Sequence, residues 1–145
     1  MVSRPITGGC FCGAIRWAAS TVFDAGYCHC SVCRRRSGAP VFAFVRFREG
    51  DFQLVKGGPK AFSSSSRFTS YFCGECGSQI CGREEGWPYV SVGIGGLDEP
   101  ARVRPTMHQC EADRLPWLNI ADDLPRYPTN NDIPHPRQRP SPVDF

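Results

Sequence analysis

The sequence predicts a mainly β protein, and three observations support this fold class. Its apolar runs are short and rich in β-branched or aromatic residues, as in residues 41–47. Glycine, proline and serine separate these runs in patterns typical of turns, for example at residues 57–59. No long segment has the 3.6-residue apolar period of an amphipathic helix. A mostly helical protein is therefore excluded.

The elements follow in order along the chain. Residues 7–18 are expected to form a turn that leads into a strand over residues 14–18, and an extended backbone at Cys10 and Cys12 would project both thiols to one side. One short helix is expected over residues 31–37, capped by Ser31 and stopped by Gly38. Further strands are expected over residues 41–47, 52–56, 61–63, 68–72, 78–82, 89–94 and 105–110. The aromatic residues expected in the core rather than in a pocket wall include Phe42, Phe44, Tyr71 and Trp117.

The 145 residues are expected to form one domain over residues 1–128, followed by a proline-rich tail. That tail, residues 129–145, is expected to be extended or partly disordered. The formal net charge of +3 is too small to argue for nucleic acid by itself. The first residues do not resemble a signal peptide, and no apolar run approaches the length of a membrane span. We therefore expect a cytoplasmic protein with no membrane partner.

The nine cysteines of this chain are the residues that indicate most about its chemistry. In a reducing compartment disulfides are rare, and cysteines separated by one or two residues are typical of metal sites. Cys81 and Cys110 stand alone and are expected to be small buried apolar residues. The other seven cysteines form three clusters: Cys10 and Cys12; Cys28, Cys30 and Cys33; Cys73 and Cys76.

Counting thiolates suggests how these clusters share metal ions. The first and third clusters together offer four thiolates, which is the complete tetrahedral set of a structural zinc. The middle cluster then has three thiolates and one free position, as a catalytic zinc does. A competing arrangement joins Cys30 and Cys33 to the third cluster. An iron–sulfur cluster is the alternative to zinc with these ligands.

The same strings resemble a known family. Residues 8–17, 27–38 and 72–80 look like the zinc-binding GFA domain of the glutathione-dependent formaldehyde-activating enzymes, a family that includes the centromere protein V relatives. Residues 104–108, 114–117 and 123–125 are similar to the C-terminal pattern of that family, so the resemblance covers roughly residues 7–128. It implies a twisted β-tent, built from small antiparallel sheets around a structural zinc, with an irregular C-terminal arm.

The resemblance also implies two zinc ions per chain. It assigns a structural zinc to Cys10, Cys12, Cys73 and Cys76, and a catalytic zinc to Cys28, Cys30 and Cys33. This is the same partition as the one obtained from thiolate counting.

These ligands predict a carbon–sulfur lyase. A thiol such as glutathione would fill the free zinc position, lose its proton and attack the carbon of formaldehyde. The product is an S-hydroxymethyl thiol, and the reverse reaction cleaves the carbon–sulfur bond. The second hypothesis is a non-catalytic zinc module that binds a protein or a nucleic acid, since fold alone does not decide function.

Two further groups of residues are candidates for the site. Arg34, Arg35 and Arg36 are expected to receive the carboxylates of a glutathione-like substrate, with a solvated basic turn as the alternative. His29 alternates with two cysteines, so its ring is expected to point away from their metal. His108 is a candidate proton shuttle, with a structural histidine as the alternative.

Overall fold

Strands dominate the fold, which confirms the predicted class. The structure, a computed structural model, describes residues 4–134. In that part of the chain the α-helix α1 spans Ser31–Ser37. The strands are β1 (Ile6–Gly9), β2 (Arg16–Ala19), β3 (Val22–Cys28), β4 (Phe42–Arg48), β5 (Phe52–Lys56), β6 (Lys60–Ser63), β7 (Phe68–Phe72), β8 (Gln79–Glu84), β9 (Tyr89–Gly93) and β10 (His108–Gln109).

The strands form two sheets. The smaller sheet has the order β1-β2-β5, and the larger one has the order β10-β3-β4-β9-β8-β7-β6. All pairings are antiparallel except the one between β10 and β3, in which His108 lies beside Tyr27 and Gln109 beside Cys28. This parallel pair brings the C-terminal arm back to the second cysteine cluster.

The main core lies around Trp17 of the smaller sheet. Its indole is 1% exposed and packs against Phe47 and Phe52, with ring centroids 5.8 and 5.4 Å away. Cys10 and Cys73 belong to the same buried cluster. The first and third cysteine clusters are therefore anchored in the core.

The segment around Cys10 differs from the extended backbone that would project its thiol and that of Cys12 to one side. Strand β1 ends at Gly9, and the chain turns after it. The turn closes through a hydrogen bond from the Cys10 amide to the Ile15 carbonyl, while the Ile15 amide donates to Cys10 Sγ. Gly13 adopts a φ of 81°, a conformation that favours glycine. The turn, instead of strand alternation, brings the two thiols to one side.

Helix α1 has the predicted length but another cap. Its N-cap is Cys30, whose Sγ accepts a 3.3 Å hydrogen bond from the Cys33 amide, in place of the expected Ser31. Gly38 ends the helix in the left-handed conformation, as predicted. The first turn of α1 is therefore built on the second cysteine cluster.

The C-terminal arm leaves one predicted core residue outside the core. Trp117 is 68% exposed, because residues 114–125 run over the surface without forming a strand. The arm continues to a 3₁₀ turn at Asn130–Asp132 that is capped by Thr129, and residues 135–145 lie outside the described part of the chain. A search of the described residues finds no helix whose length and apolarity would allow it to cross a bilayer.

Substitutions of Trp17 and Trp117 give a matched test of this core. Trp17→Ala should lower the free energy of unfolding by about 3–5 kcal/mol, because it empties a fully buried site. Trp117→Ala should change it by less than about 0.5 kcal/mol, because that side chain is largely solvated. Denaturant unfolding of both variants measures the difference. Equal losses would contradict the described placement of the core.

Candidate metal centres and the adjoining cavity

The first and third cysteine clusters meet in space. Cys12 Sγ lies 3.6 Å from Cys10 Sγ and 3.8 Å from Cys73 Sγ, and the four thiols, including that of Cys76, lie within 4.8 Å of one another. A tetrahedral zinc with bonds near 2.3 Å requires sulfur–sulfur separations of about 3.8 Å. These four thiols can therefore hold one zinc ion, as thiolate counting predicted.

Hydrogen bonds around this cluster favour the thiolate at Cys76 and Cys10, whereas the pKa of Cys12 is raised to about 12, because the bond from the Ala14 amide is outweighed by the hydrogen bond with Cys10 and by burial. The Ser78 hydroxyl and amide are the main cause that lowers the pKa of Cys76 to about 5. The pKa of Cys10 is also lowered, because hydrogen bonds from the Ile15 amide and from Cys12 and Cys73 outweigh the effect of burial. Anionic sulfur is the form that binds zinc.

The second cysteine cluster forms a separate group of three thiols. Cys28, Cys30 and Cys33 lie within 4.8 Å of one another at the junction of β3 and α1. Hydrogen bonds from Cys28 and Cys33, together with the amides of the helix start, lower the pKa of Cys30 to about 2. The same bonds raise the pKa of Cys28 and Cys33. This group can hold a zinc through three sulfurs.

A cavity of about 660 Å³ opens onto this three-cysteine group. Its volume falls in the range typical of sites for small molecules. All three cysteines line it together with Phe42, Phe44, Phe68 and Tyr89 of the larger sheet and with Trp87 of the connection between β8 and β9. Phe42 and Phe44 are thus both core residues, as predicted, and part of a cavity wall.

The three arginines predicted for the substrate have different environments. Arg36 lines the cavity, with its guanidinium carbon 4.8 Å from the centre of the Phe68 ring. Arg34 donates to the main-chain carbonyls of His29 and Asp113, both at 3.0 Å. Arg35 is exposed and lines a different groove. Only Arg36 of the three is in position to meet a ligand beside the cysteines.

Arg36 is also a cation without an acidic partner. Among residues 4–134, no carboxylate lies within ion-pair distance of it, and its polar contacts are the Ser70 hydroxyl and the Gln79 amide. The other arginine in the cavity wall, Arg46, forms a double hydrogen bond with the buried carboxylate of Asp24. The charge of Arg36 therefore remains available to an anion.

The structure does not bring His108 to the cavity. Its ring is fully buried on the other side of β10, where Nδ1 lies 2.8 Å from His29 Nε2 and Nε2 lies 2.9 Å from Asp122 Oδ2. His29 points away from the cysteine thiols, as strand alternation predicted. Its pKa is lowered mainly by burial, so its imidazole is neutral at physiological pH.

Two residues lie beside the three-cysteine group that sequence reasoning did not place there: Gln109, which it did not single out, and Cys110, which it expected to be buried and which is half-buried. Gln109 lines the cavity next to Cys28, and its buried Oε1 has no hydrogen-bond partner among the described residues. Cys110 packs near Cys28 with a φ of 54°, a strained value for a non-glycine residue. The pKa of the Cys110 thiol is raised to about 12, mainly by burial and to a smaller extent by the charges of Cys28 and Cys30. The only sequence signal was their closeness to His108.

The fold and the thiol clusters define a small β protein with one group of four thiols and one group of three thiols, each of which could hold a metal ion. The chain matches the family described as glutathione-dependent formaldehyde-activating enzyme over residues 5–113. It belongs to that family, as the resemblance indicated.

A solved structure of a Rhodobacter sphaeroides protein shares the fold. The two chains are 23% identical, the match covers 83% of this chain and 98% of the other, and the TM-score is 0.53. Curated proteins gave no match.

Substitution of single cysteines should distinguish the cysteines that bind metal from the isolated ones. Cys73→Ser should lose one zinc per chain and about 4 kcal/mol or more of unfolding free energy, because the tetrathiolate site ties the core together. Cys81→Ser should keep the full zinc content, because Cys81 is a buried thiol whose pKa is raised to about 11 by burial. Elemental analysis and thermal unfolding measure both effects. Loss of zinc in both variants would contradict the assignment.

Proposed function

We propose that this protein is a zinc-dependent carbon–sulfur lyase that acts on a thiol–aldehyde adduct of the S-hydroxymethylglutathione type. The observation that carries the proposal is the cavity in which the three-cysteine group and the unpaired Arg36 meet. Membership in the family of glutathione-dependent formaldehyde-activating enzymes supports the same substrate class.

The reaction that fits this site is reversible. In the cleavage direction the carbon–sulfur bond of the adduct breaks, its electron pair stays on sulfur, and the hydroxyl loses its proton as the aldehyde carbonyl forms. Protonation of the released thiolate completes the balance. A zinc ion held by Cys28, Cys30 and Cys33 would supply a Lewis acid with a free position for the substrate sulfur.

Residues of the cavity wall would orient the substrate. Arg36 would bind a carboxylate of the glutathione moiety, because a guanidinium forms two parallel hydrogen bonds to that group. Gln109, which lines the cavity beside Cys28, would form a hydrogen bond with the hydroxyl group of the adduct through its side-chain amide. The aromatic wall would exclude water around the carbon that reacts.

His108 has a weaker claim to a role in the reaction. Both of its ring nitrogens already have partners outside the cavity, so the proposed reaction assigns it no proton transfer. Its role as a proton shuttle stays a prediction of the sequence.

Substitution of Cys30 in the three-cysteine group tests the proposed reaction. Cys30→Ser should lower turnover of S-hydroxymethylglutathione by about 100-fold or more, because the group that holds the reacting sulfur loses its anionic ligand. The fold and the zinc of the tetrathiolate site should remain. Exchange NMR with ¹³C-labelled formaldehyde and glutathione measures turnover above the spontaneous rate. Unchanged turnover in a folded Cys30→Ser protein would refute the proposed function.

Substitutions of two neighbouring arginines, Arg35 and Arg36, test how the substrate is bound. Arg36→Gln should lower kcat/KM by about 10- to 100-fold, mostly through KM, because it removes a charged hydrogen bond to the substrate. Arg35→Gln should change kcat/KM by no more than about twofold, because that side chain is exposed and faces another groove. Steady-state kinetics with glutathione and with an uncharged thiol compare the two variants. Equal effects of the two substitutions would argue against Arg36 as the carboxylate site.

A further inference from the structure

A third group of metal-ligating side chains lies outside both cysteine sites. It consists of His29, His108 and Glu111, whose ligand atoms all lie within 4.8 Å of one another. Both imidazoles are fully buried, and the Glu111 side chain is 20% exposed. The group uses none of the seven clustered cysteines.

The three ligand atoms form a triangle of the right size for a metal ion. His29 Nε2 lies 2.8 Å from His108 Nδ1 and 3.3 Å from Glu111 Oε2, and the third side, from His108 Nδ1 to Glu111 Oε2, is 3.9 Å. A tetrahedral zinc with bonds of 2.0–2.1 Å requires separations of about 3.3 Å between nitrogen or oxygen ligands. The observed sides bracket this value.

Neighbouring groups aim two of these atoms at the centre of the triangle. Asp122 Oδ2 accepts from His108 Nε2 at 2.9 Å, which places the proton on Nε2. The lone pair of His108 Nδ1 therefore faces His29 Nε2 at 2.8 Å, and a metal ion would replace the hydrogen bond between these two nitrogens. A carboxylate behind a ligating histidine is the usual arrangement in metal sites. Glu111 Oε1 is held by Arg114 Nε at 3.0 Å and by Arg126 Nη1 at 3.1 Å.

The environment of the other carboxylate oxygen of Glu111, Oε2, points most directly to a cation. Oε2 is buried and has no hydrogen-bond partner among residues 4–134, although it faces both imidazoles. A buried carboxylate oxygen without a donor is costly. A divalent ion at the centre of the triangle would satisfy this oxygen and both histidine nitrogens at once.

We propose that His29, His108 and Glu111 form a third metal site for a divalent transition ion of the zinc class. Two imidazoles and one carboxylate are a common ligand set for such ions. This site is independent of the proposed function, because none of its ligands lines the cavity. Its place behind β3 and β10 suggests a structural role that fixes the two strands to the C-terminal arm.

Cobalt(II) titration of the full chain distinguishes this site from the cysteine sites. Thiolate-bound cobalt has an intense sulfur-to-metal charge-transfer band, whereas cobalt bound by histidine and glutamate lacks it. The reduced, metal-free protein should bind three cobalt ions, and two of them should produce the band. Whichever site fills first, one equivalent should bind without charge-transfer absorption.

Three variants locate the third equivalent. Glu111→Gln should bind one cobalt fewer with the charge-transfer band unchanged, because glutamine keeps the shape and the contacts to the arginines but removes the anionic ligand. Asp113→Asn, in the same 3₁₀ turn and exposed, should still bind three. Asp122→Asn should keep the stoichiometry but weaken the third equivalent by about 10- to 100-fold.

Two results would overturn the proposal. If the wild-type protein binds only the two cobalt ions that produce the band, the group is a hydrogen-bonded cluster without a metal. If the third equivalent survives in Glu111→Gln, it lies elsewhere. Circular dichroism of each variant verifies the fold, and turnover of the thiol adduct is not needed for either conclusion.

Discussion

The parallel pairing of β10 with β3 is the interaction on which both sides of the site depend. Main-chain hydrogen bonds from Tyr27 to Met107 (2.9 Å) and from His29 to Gln109 (3.1 Å) fix its register. Because side chains alternate along a strand, this register sends Cys28 and Gln109 to the cavity and His29 and His108 to the opposite face. A slip of β10 by one residue would turn His108 toward the cavity and Gln109 away from it.

Local patterns in the sequence predicted the parts of the molecule that depend on nearby residues. The three cysteine clusters, the seven-residue helix and the glycine stop all follow from local spacing. The position of the turn at Cys10 was not predicted, because its hydrogen bonds to Ile15 compete with strand alternation. Trp117 was assigned to the core from its size, but burial depends on the path of the arm. The meeting of His29 with His108 depends on strands 79 residues apart in sequence.

The two sides of the cavity carry opposite charges. The three-cysteine group contributes negative charge at one side, and the Arg36 guanidinium, which has no acidic partner within residues 4–134, contributes positive charge nearby. Arg46 is already neutralised by Asp24. Under the proposed function, the sulfur of a ligand would bind a metal held by the three cysteines while its carboxylate reaches Arg36. The three consecutive arginines looked equivalent in the sequence, but helical geometry separates them.

The spacing of the cysteines gives the two thiolate sites different relations to the folding of the chain. Cys28 and Cys33 are five positions apart, so their site needs almost no loop closure and can form on a short, newly made segment. Cys12 and Cys73 are 61 positions apart, and bringing them together closes a long loop whose entropic cost must be repaid. A metal at the tetrathiolate site would thus require the folded chain, whereas a metal at the trithiolate site would require only the short segment that carries its three cysteines.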